Sequence, residues 1–396
     1  MMVMIIFVTG RQPEISYAEL AAVYGRPLQL LDRQLVAVNM GREETLRRFD
    51  RLGSVVKVME VVASNFVGDA KHRQELLDEV FGNVEGKITL GVSDYREGAS
   101  VKTTLTLGKS LKGAVKTAGH SVRMVPQKEA IVSTATLLHN GMARGNFKKV
   151  ELNFLKKNIV AKTLAVQDID SYAARDRSRP YRDAHNGMLP PKLARIMVNL
   201  AAGARGNRRD RGQVKNTIVL DPFCGTGVTL QEAALLGAKV YGTDLNPEMA
   251  KYTKGNLNWL AKTRHLDVDH HEAAGDATNF DWKRFVGEPI DLVVSETYLG
   301  KPYTSTPSVA EVKRTAAAVD TIISKFLRNL SHQVPTGAGL CIAVPAWFVR
   351  DHITHLPLTN HLHEYGFTNK SSGANLIYHR PDQVVGRELL VLTKSH

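Results

Sequence analysis

The sequence predicts an α/β fold with a doubly wound, mostly parallel sheet in its C-terminal half. From residue 217 onward, short apolar runs alternate with helical patterns, as at 218–220, 228–236, 240–243 and 247–260. A glycine-containing turn at 221–227 joins the first of these strands to the first helix. This order of strand, helix and strand is typical of parallel sheets that carry helices on both faces.

The N-terminal half predicts a different, α+β architecture. Residues 1–62 show the order β-α-β-α-β, and the short apolar run at 5–8 predicts a first strand rather than a signal peptide. A second α+β unit is expected at 63–160, followed by a charged connector at 161–186. The parallel-sheet domain is then expected to occupy 187–396.

Composition favours an anionic partner and a reducing compartment. Lys and Arg total 52 against 39 Asp and Glu, which gives a formal net charge of +13. This excess favours nucleic acid as the partner, although a generally basic surface without a specific partner has the same charge. The two cysteines, Cys224 and Cys341, argue against a disulfide framework and a cysteine-rich metal site. We expect a cytoplasmic protein without a metal ion, and no apolar run reaches the length of a membrane span.

Basic residues concentrate in one window of the N-terminal half. Residues 101–128 contain six Lys or Arg and no Asp or Glu. Helical spacing predicts Lys109, Lys112 and Lys116 on one face, opposite an apolar face that includes Leu111 and Ala118. Such a stripe can follow a row of phosphates, or it can simply keep the surface soluble. The candidate phosphate-binding residues are Lys109, Lys112, Lys116 and Arg123.

The turn at 221–227 predicts a cofactor site at the carboxyl edge of the parallel sheet. Ligands bind at this edge, and Gly225 and Gly227 let the backbone approach a ligand closely. A dinucleotide site needs a third glycine where this chain has Leu230. Asp221 and Phe223 at the end of the strand are also foreign to that fingerprint. The turn therefore favours S-adenosylmethionine (SAM) over a dinucleotide.

Two further strand ends carry aspartates that suit an adenosyl cofactor. Asp244 can accept hydrogen bonds from both ribose hydroxyls, or it can cap the helix that begins near Pro247. Asp276 can accept a hydrogen bond from the exocyclic amine of adenine, or it can form a simple turn. The predicted cofactor-binding residues are Asp221, Phe223, Gly225, Gly227, Asp244, Leu245, Asp276 and Ala277.

The fourth apolar strand leads into polar and aromatic residues at the same edge. Methyl transfer to an amine requires an acceptor that orients the N–H bonds, and Glu296 is the candidate. A base drawn out of its stack needs a flat surface, which Tyr298 or Tyr303 can supply. We therefore predict Glu296, Thr297 and Tyr298 as catalytic residues. The alternative is that Glu296 is an exposed loop acid and Tyr298 a packing aromatic.

These motifs resemble those of Trm11-type tRNA guanine-N2 methyltransferases. The turn at 221–227 is similar to the first motif of amino-group methyltransferases, and the segment at 176–194 is similar to the one that precedes it in the Trm11 type. The opening at 9–16 and the tail at 378–388 are also similar, so the resemblance spans nearly the whole chain. At the fourth strand the family carries Asp-Pro-Pro-Tyr, or Asn in place of Asp. This chain has Glu296, Thr297, Tyr298 and Leu299 there.

The resemblance implies both an architecture and a reaction. The architecture is a ferredoxin-like domain, a THUMP domain that grips tRNA, and a Rossmann-like catalytic domain. The implied methyl donor is SAM, and the implied target is the exocyclic N2 amine of guanosine 10 in tRNA. The basic window at 101–128 falls where the THUMP domain would lie.

Two other functions remain open from the sequence. A DNA or other RNA amino methyltransferase predicts a target-recognition insertion in or after the catalytic domain, whereas the additional residues here precede it. A non-catalytic RNA-binding protein with a vestigial cofactor fold would account for the altered fourth-strand motif. The intact set of Asp221, Gly225, Gly227, Asp244 and Asp276 argues against this second alternative.

Overall fold

The computed structural model describes residues 2–82, 84–144, 146–183, 188–207, 209–301, 303, 305–350, 352–371 and 375–395. The end of the predicted connector, at 184–186, and Gly187 of the family-like segment lie outside these ranges. The chain forms two compact units. The first comprises Met1–Pro13, Arg26–Asp50 and Val55–Ser171, and the second comprises Glu14–Gly25, Arg51–Ser54 and Tyr172–His396.

The N-terminal half alternates strands and helices. In chain order its elements are β1 (Met2–Thr9), α1 (Pro13–Tyr24), β2 (Gln29–Asp32), β3 (Leu35–Gly41), α2 (Arg42–Phe49), β4 (Val55–Ala63), α3 (Ala70–Phe81), β5 (Lys87–Asp94), α4 (Val101–Thr117), β6 (Ser121–Met124), α5 (Thr134–His139), β7 (Lys149–Leu155) and β8 (Ile159–Val166).

The strands of the first unit form one mixed sheet with the order β2-β3-β1-β4-β8-β7-β5-β6. Strand β4 pairs antiparallel with both β1 and β8, whereas β5 runs parallel to β6 and β7. Residues that the sequence pattern assigns to two domains, at 1–62 and 63–160, therefore share a sheet. Strand β8 also extends into the predicted connector. The division into a ferredoxin-like and a THUMP domain stays a prediction.

Helix α4 presents the predicted lysine stripe to solvent. Lys109 and Lys116 are exposed and Lys112 is partly exposed, because they lie opposite the buried face of the helix. That buried face consists of Thr104, Gly108, Leu111 and Val115. Ala118, predicted on the apolar face, is exposed because the helix ends at Thr117 and Ala118 is its C-cap.

The C-terminal half contains the elements of the parallel sheet. In chain order these are α6 (Ile169–Arg177), α7 (Pro191–Gly203), β9 (Ile218–Asp221), α8 (Val228–Ala234), β10 (Lys239–Asp244), α9 (Pro247–Arg264), β11 (His270–Ala274), α10 (Trp282–Val286), β12 (Leu292–Glu296), α11 (Val309–Ser331), β13 (Gly339–Val349), β14 (His352–Thr354), β15 (Phe367–Asn369), β16 (Ile377–Tyr378) and β17 (Val385–Lys394).

The second sheet has the order β11-β10-β9-β12-β13-β17-β15, with β14 on β13 and β16 on β17. Strands β9 to β13 are parallel to one another, whereas β17 is antiparallel to β13. One face is covered by a core that includes α7 and α8, and the other by a core that includes α11. The chain reverses its direction of winding between β9 and β12, so a crevice is expected at their carboxyl ends.

A buried carboxylate holds two N-terminal segments in the second unit. Glu19 on α1 accepts hydrogen bonds from the N–H of Gly53 at 2.8 Å and from the side-chain amide of Asn199 on α7 at 2.6 Å. The sequence predicts one N-terminal domain over 1–62, because local periodicity carries no signal for contacts so distant along the chain. Among the described residues, no helix combines the length and apolar composition needed to cross a bilayer.

Candidate active site

Asp221 ends β9, at the edge where the crevice is expected, and is almost fully buried. Its Oδ1 accepts hydrogen bonds from Ser295 Oγ at 2.6 Å and from the N–H of Phe223 at 3.1 Å. Its Oδ2 accepts a hydrogen bond from the hydroxyl of Thr229 on α8. Burial raises the pKa of Asp221 to about 7, although these three donors oppose the shift. Asp221 therefore ties together the ends of β9 and β12 and the start of α8.

The two glycines of the turn differ in what surrounds them. Both have positive φ, at +50° for Gly225 and +78° for Gly227. A Cβ on Gly227 would lie 2.8 Å from Cγ2 of Thr253, so Gly227 is needed for close packing against α9. A Cβ on Gly225 would meet no protein atom within 4 Å. The turn is therefore packed on one side and open at Gly225, as expected of a backbone that a ligand approaches.

Asp244, at the end of β10, is hydrogen-bonded to the same turn. Its Oδ2 accepts from the N–H of Gly225 at 3.0 Å, and its Oδ1 accepts from the N–H of Asn246 at 2.9 Å. Asn246 caps α9, so the alternative of Asp244 as the helix cap is not what the structure shows. Burial raises the pKa of Asp244 against these two donors. The neighbouring Leu245 is 75% exposed.

The other predicted cofactor residues differ in their contacts with the rest of the protein. Oδ1 of Asp276 accepts from both the N–H and the hydroxyl of Thr278, each at 2.8 Å, so Asp276 forms the local turn that the sequence left as an alternative. Ala277 is buried. The ring of Phe223 packs edge-on against Phe326 of α11, with 5.0 Å between ring centroids. Phe223 and Ala277 thus belong to the core that underlies the crevice.

Glu296, at the end of β12, is paired with a residue that the sequence did not single out. Nε of Arg387 donates a hydrogen bond to Oε1 of Glu296, and the two side chains are only 10% and 18% exposed, respectively. Because β17 is antiparallel, its early residue Arg387 lies at the edge where β12 and β13 end. Burial raises the pKa of Glu296, and the Arg387 guanidinium opposes that shift. The only advance signal was the place of Arg387 in the family-like tail.

The residues after Glu296 lie in different environments. Thr297 is buried, and both its N–H and its hydroxyl donate to the carbonyl of Ala343 at 3.0 Å. Tyr298 is 41% exposed. The hydroxyl of Tyr303 donates to Oγ1 of Thr315 on α11 at 3.1 Å. Of the two candidate stacking rings, Tyr298 is therefore the accessible one, and Tyr303 is anchored to the helix.

The family-like segment before α7 is joined to the glycine turn. The Asn256 side chain on α9 accepts from the N–H of Tyr181 and donates to its carbonyl, both at 3.0 Å. The same Nδ2 atom donates to the carbonyl of Thr226 at 2.8 Å. The ring of Tyr181 stacks on Tyr252 and lies over Gly255, where a Cβ would collide with it. Sequence analysis did not identify this clamp, because its members lie 75 residues apart.

The predicted phosphate-binding residues belong to the first unit, and the glycine turn belongs to the second. The three lysines lie on α4, whereas Arg123 lies on β6 and is exposed. The Nη2 atom of Arg123 donates to Oδ1 of Asn140 at 3.0 Å. In the second unit, one hydrogen bond joins Asp221 to Ser295 and another joins Gly225 to Asp244, and Glu296 follows Ser295 directly.

Comparisons with known proteins match parts of the chain to two methylase or methyltransferase family models. A family model described as DNA methylase matches residues 108–255, and one described as methyltransferase domain matches residues 213–366. The second match contains the glycine turn and the strand ends that carry Asp244, Asp276 and Glu296. The crystal structure of TrmN from Thermus thermophilus covers 100% of both chains with a TM-score of 0.52 and 17% identity, which is a likeness of fold. The predicted α/β, Rossmann-like fold is confirmed.

Two curated relatives carry the same activity in their names. The tRNA (guanine(10)-N2)-dimethyltransferase of Methanothermobacter thermautotrophicus is 31% identical over 188 residues, which are 47% of each chain. The chain thus spans about half the length of this relative. The probable tRNA (guanine(10)-N2)-dimethyltransferase of Methanothermococcus thermolithotrophicus is 30% identical over 121 residues, 31% of this chain and 68% of that relative. The chain therefore belongs to the family of Trm11-type tRNA guanine-N2 methyltransferases.

Proposed function

We propose that this protein is a SAM-dependent methyltransferase that modifies the exocyclic N2 amine of guanosine 10 in tRNA. The observation that carries the proposal is the Glu296–Arg387 pair, which lies at the end of β12, directly after the residue bonded to Asp221. A buried carboxylate at this edge provides the acceptor that an amine needs. The names of the relatives support tRNA as the substrate and guanosine 10 as the position.

The described residues fit the cofactor. The open face at Gly225 leaves space where a Cβ would otherwise stand, and Asp244 is held beside it with a carboxylate able to accept from ribose hydroxyls. Asp276 keeps Oδ2 for the adenine amine, because its two bonds to Thr278 use Oδ1. When bound, SAM supplies an electrophilic methyl group on a positively charged sulfur.

Glu296 orients the amine of the target base. Its Oε1 is held by Arg387, so Oε2 is the atom that accepts an N–H of guanine and thereby directs the nitrogen lone pair. The nitrogen gains positive charge as it forms its new bond, and Oε2 is placed to take the proton that it releases. Arg387 favours the ionised form of Glu296, since its charge opposes the larger effect of burial, which raises the pKa of Glu296.

The neighbouring residues and the first unit hold the substrate. The exposed ring of Tyr298 stacks on the extruded base, and Thr297 fixes the loop through Ala343 as a positioning residue. A THUMP domain at 63–160 binds tRNA, and a ferredoxin-like domain at 1–62 precedes it along the chain. Phosphates of the tRNA contact Lys109, Lys112, Lys116 and Arg123. We place the protein in the cytoplasm with its substrate.

The test is transfer of labelled methyl from SAM to an unmodified tRNA transcript, followed by nucleoside analysis. We expect the label in N2-methylguanosine or its dimethylated form. A transcript with adenosine in place of guanosine 10 is the matched control and should remain unlabelled. Label in N6-methyladenosine, or equal labelling of the control, would overturn the assigned target.

A second candidate is methylation of an amine in DNA, which the match to the DNA methylase model favours. Duplex and single-stranded DNA belong in the same assay for this reason. Labelled DNA together with unlabelled tRNA would establish this second candidate and overturn the first.

A further inference from the structure

The start of β17 buries two charged residues that follow each other in the chain, Arg387 and Glu388. They are 8% and 7% exposed, respectively. Successive residues of a strand point to opposite faces of a sheet. Leu389 belongs to the core that includes α7, and Leu390 belongs to the core that includes α11. By the same alternation, Arg387 lies on the α7 face of the sheet and Glu388 lies on the α11 face.

Each of these two residues has a partner across β13. On the α7 face, Nε of Arg387 donates a hydrogen bond to Oε1 of Glu296, at the end of β12. On the α11 face, Nδ1 of His355 lies 2.7 Å from Oε2 of Glu388. His355 directly follows β14, which pairs with β13. The first residues of β17 are therefore held by one paired side chain on each face.

The two pairs differ in how they respond to pH. The guanidinium of an arginine keeps its charge at every pH at which proteins function. Histidine is the side chain whose charge ordinarily changes between about pH 5 and pH 8. A charged imidazole neutralises the buried carboxylate of Glu388, whereas a neutral one supplies only a hydrogen bond. The charge of His355 therefore determines how well Glu388 is stabilised in its buried position.

Other groups around this pair do not take the place of the imidazole. The strand neighbours of Glu388 are Val344 on β13 and Ile377 on β16, and both are apolar. Asp320 on α11 is itself an acid, and it accepts a hydrogen bond from the N–H of Leu358 at 2.8 Å. Nearby ionisable residues on these elements include His352 of β14, Tyr378 and His379 beside the start of β17, and Arg387 on the opposite face. The described ion pair of Glu388 is the one with His355.

We propose that His355, through Glu388, positions Arg387 and Glu296 for methyl transfer only while its imidazole is charged. The inference rests on the proposed function, because it concerns the acid that accepts the target amine. Arg387 and Glu388 are joined by one peptide bond, so a movement of Glu388 toward water also moves Arg387. Glu296 then loses the contact that fixes its Oε1, and a displacement of about 1 Å can cost about 100-fold in rate. His355 and Glu388 are thus positioning residues.

The pH dependence of single-turnover transfer to tRNA tests this coupling. His355→Lys keeps a cation at every pH used, so its rate divided by that of the parent should rise by about tenfold between about pH 6 and about pH 8.5. His355→Gln keeps a hydrogen-bond donor without the charge, and its rate should approach that of the parent only at the higher pH. His352→Gln removes the exposed histidine of β14 and is the matched control, with an expected ratio to the parent that does not change with pH.

Two measurements without transfer separate this inference from the proposed function. Unfolding in urea, in a double-mutant cycle of His355→Gln and Glu388→Gln, should show a coupling at about pH 6 that falls at about pH 8.5. Calorimetry should show that S-adenosylhomocysteine binds each variant as it binds the parent, because neither residue contacts the cofactor in this assignment. These two results support the inference.

If the parent methylates tRNA but the ratio for His355→Lys does not change with pH, the inference alone is overturned. Absence of coupling at about pH 6 overturns it as well, because the pair would then not form in solution. A parent that transfers methyl to neither tRNA nor DNA overturns the proposed function, and the inference falls with it.

Discussion

Arg387 donates a hydrogen bond through Nε to Oε1 of Glu296, across 91 residues of chain. The contact exists because β17 is antiparallel to β13, so that the first residues of β17 lie at the same edge of the sheet as the last residues of β12, with β13 between the two strands. The contact pairs the Arg387 guanidinium with Glu296, the residue at the position where the family motif carries the acid that binds the target amine. The prolines that stiffen this turn in the family are missing, and the ion pair supplies a different constraint on the carboxylate.

Glu296→Gln should abolish methyl transfer without abolishing cofactor binding. The amide cannot take a proton from the amine, and we expect a loss of about 100-fold or more in kcat. S-adenosylhomocysteine should bind within about twofold of the parent, because no proposed cofactor contact involves Glu296. The measurements are single-turnover transfer to tRNA and calorimetry. Parallel loss of transfer and of cofactor binding would make Glu296 a structural residue.

Arg387→Met should shift the pH dependence of transfer. Burial already raises the pKa of Glu296, and removing the guanidinium leaves that effect unopposed, so the pKa of Glu296 rises further. Since transfer needs the ionised carboxylate, the acid limb of the profile should move to higher pH. Arg387→Lys keeps the charge and should retain most of the parent profile. An unchanged acid limb in Arg387→Met would contradict a role in holding Glu296 ionised.

The same variant has a predicted cost in stability. Breaking a buried ion pair leaves one charge without its partner, and we expect the free energy of unfolding to fall by about 3 kcal/mol. Urea titration measures this loss. Arg380→Met, which removes an exposed arginine of the tail, should cost less than about 0.5 kcal/mol.

Replacing Lys109, Lys112 and Lys116 together by Gln should weaken tRNA binding and flatten its dependence on salt. Each lost phosphate contact lowers the slope of log affinity against log salt by about 0.7 to 0.9. We therefore expect a slope smaller by about 2, measured by filter binding. The matched control replaces three exposed lysines of the second unit, Lys283, Lys325 and Lys370. Equal effects of the two triple variants would indicate a general charge effect.

Asp221 should make the folded state less stable as the pH rises from about 4 to about 7. Its pKa is raised from 3.8 to about 7 on folding, so within this window the folded chain retains a proton that the unfolded chain releases. The difference amounts to roughly 3–5 kcal/mol, at about 1.4 kcal/mol for each pKa unit. It is measured as the pH dependence of unfolding in the parent minus that in Asp221→Asn.

Asp267→Asn, which changes an exposed aspartate, is the control for this measurement. The variant Asp221→Asn should lose the fall in stability between about pH 4 and 7, whereas the control should keep it. A parent and an Asp221→Asn variant with the same pH dependence would show that Asp221 is ionised in the folded protein.

Local patterns in the sequence predicted most of the second unit. Apolar runs of strand length, separated by helical periodicity, indicated a parallel sheet, and the glycine turn marked its first crossover. Because parallel strands end at one edge, the strand-end residues Asp221, Asp244 and Glu296 were expected there, and the structure brings them to that edge. The lysine stripe on α4 followed from helical spacing alone in the same way.

The division of the first half at residue 62, which local pattern suggested, stays a prediction. Strand β4 joins β1 to β8, so a continuous sheet crosses the boundary expected near residue 62. Glu19 and Gly53 meet in the second unit, although both lie within the predicted N-terminal domain. Strand pairing and buried hydrogen bonds between distant segments decide such boundaries, and neither leaves a periodic signal in the chain.

The sequence by itself therefore determined the fold class, the cofactor edge and the acid at the end of the fourth strand, since these follow from periodicity and from residues close together along the chain. Only the tertiary structure determined which distant residues form ion pairs and hydrogen bonds with the side chains at that edge. It paired Glu296 with Arg387, and it buried Asp221 with a hydrogen bond from Ser295 to its carboxylate. The physical reason is that burial and ion pairing depend on which distant residues meet, and that is a property of the folded chain.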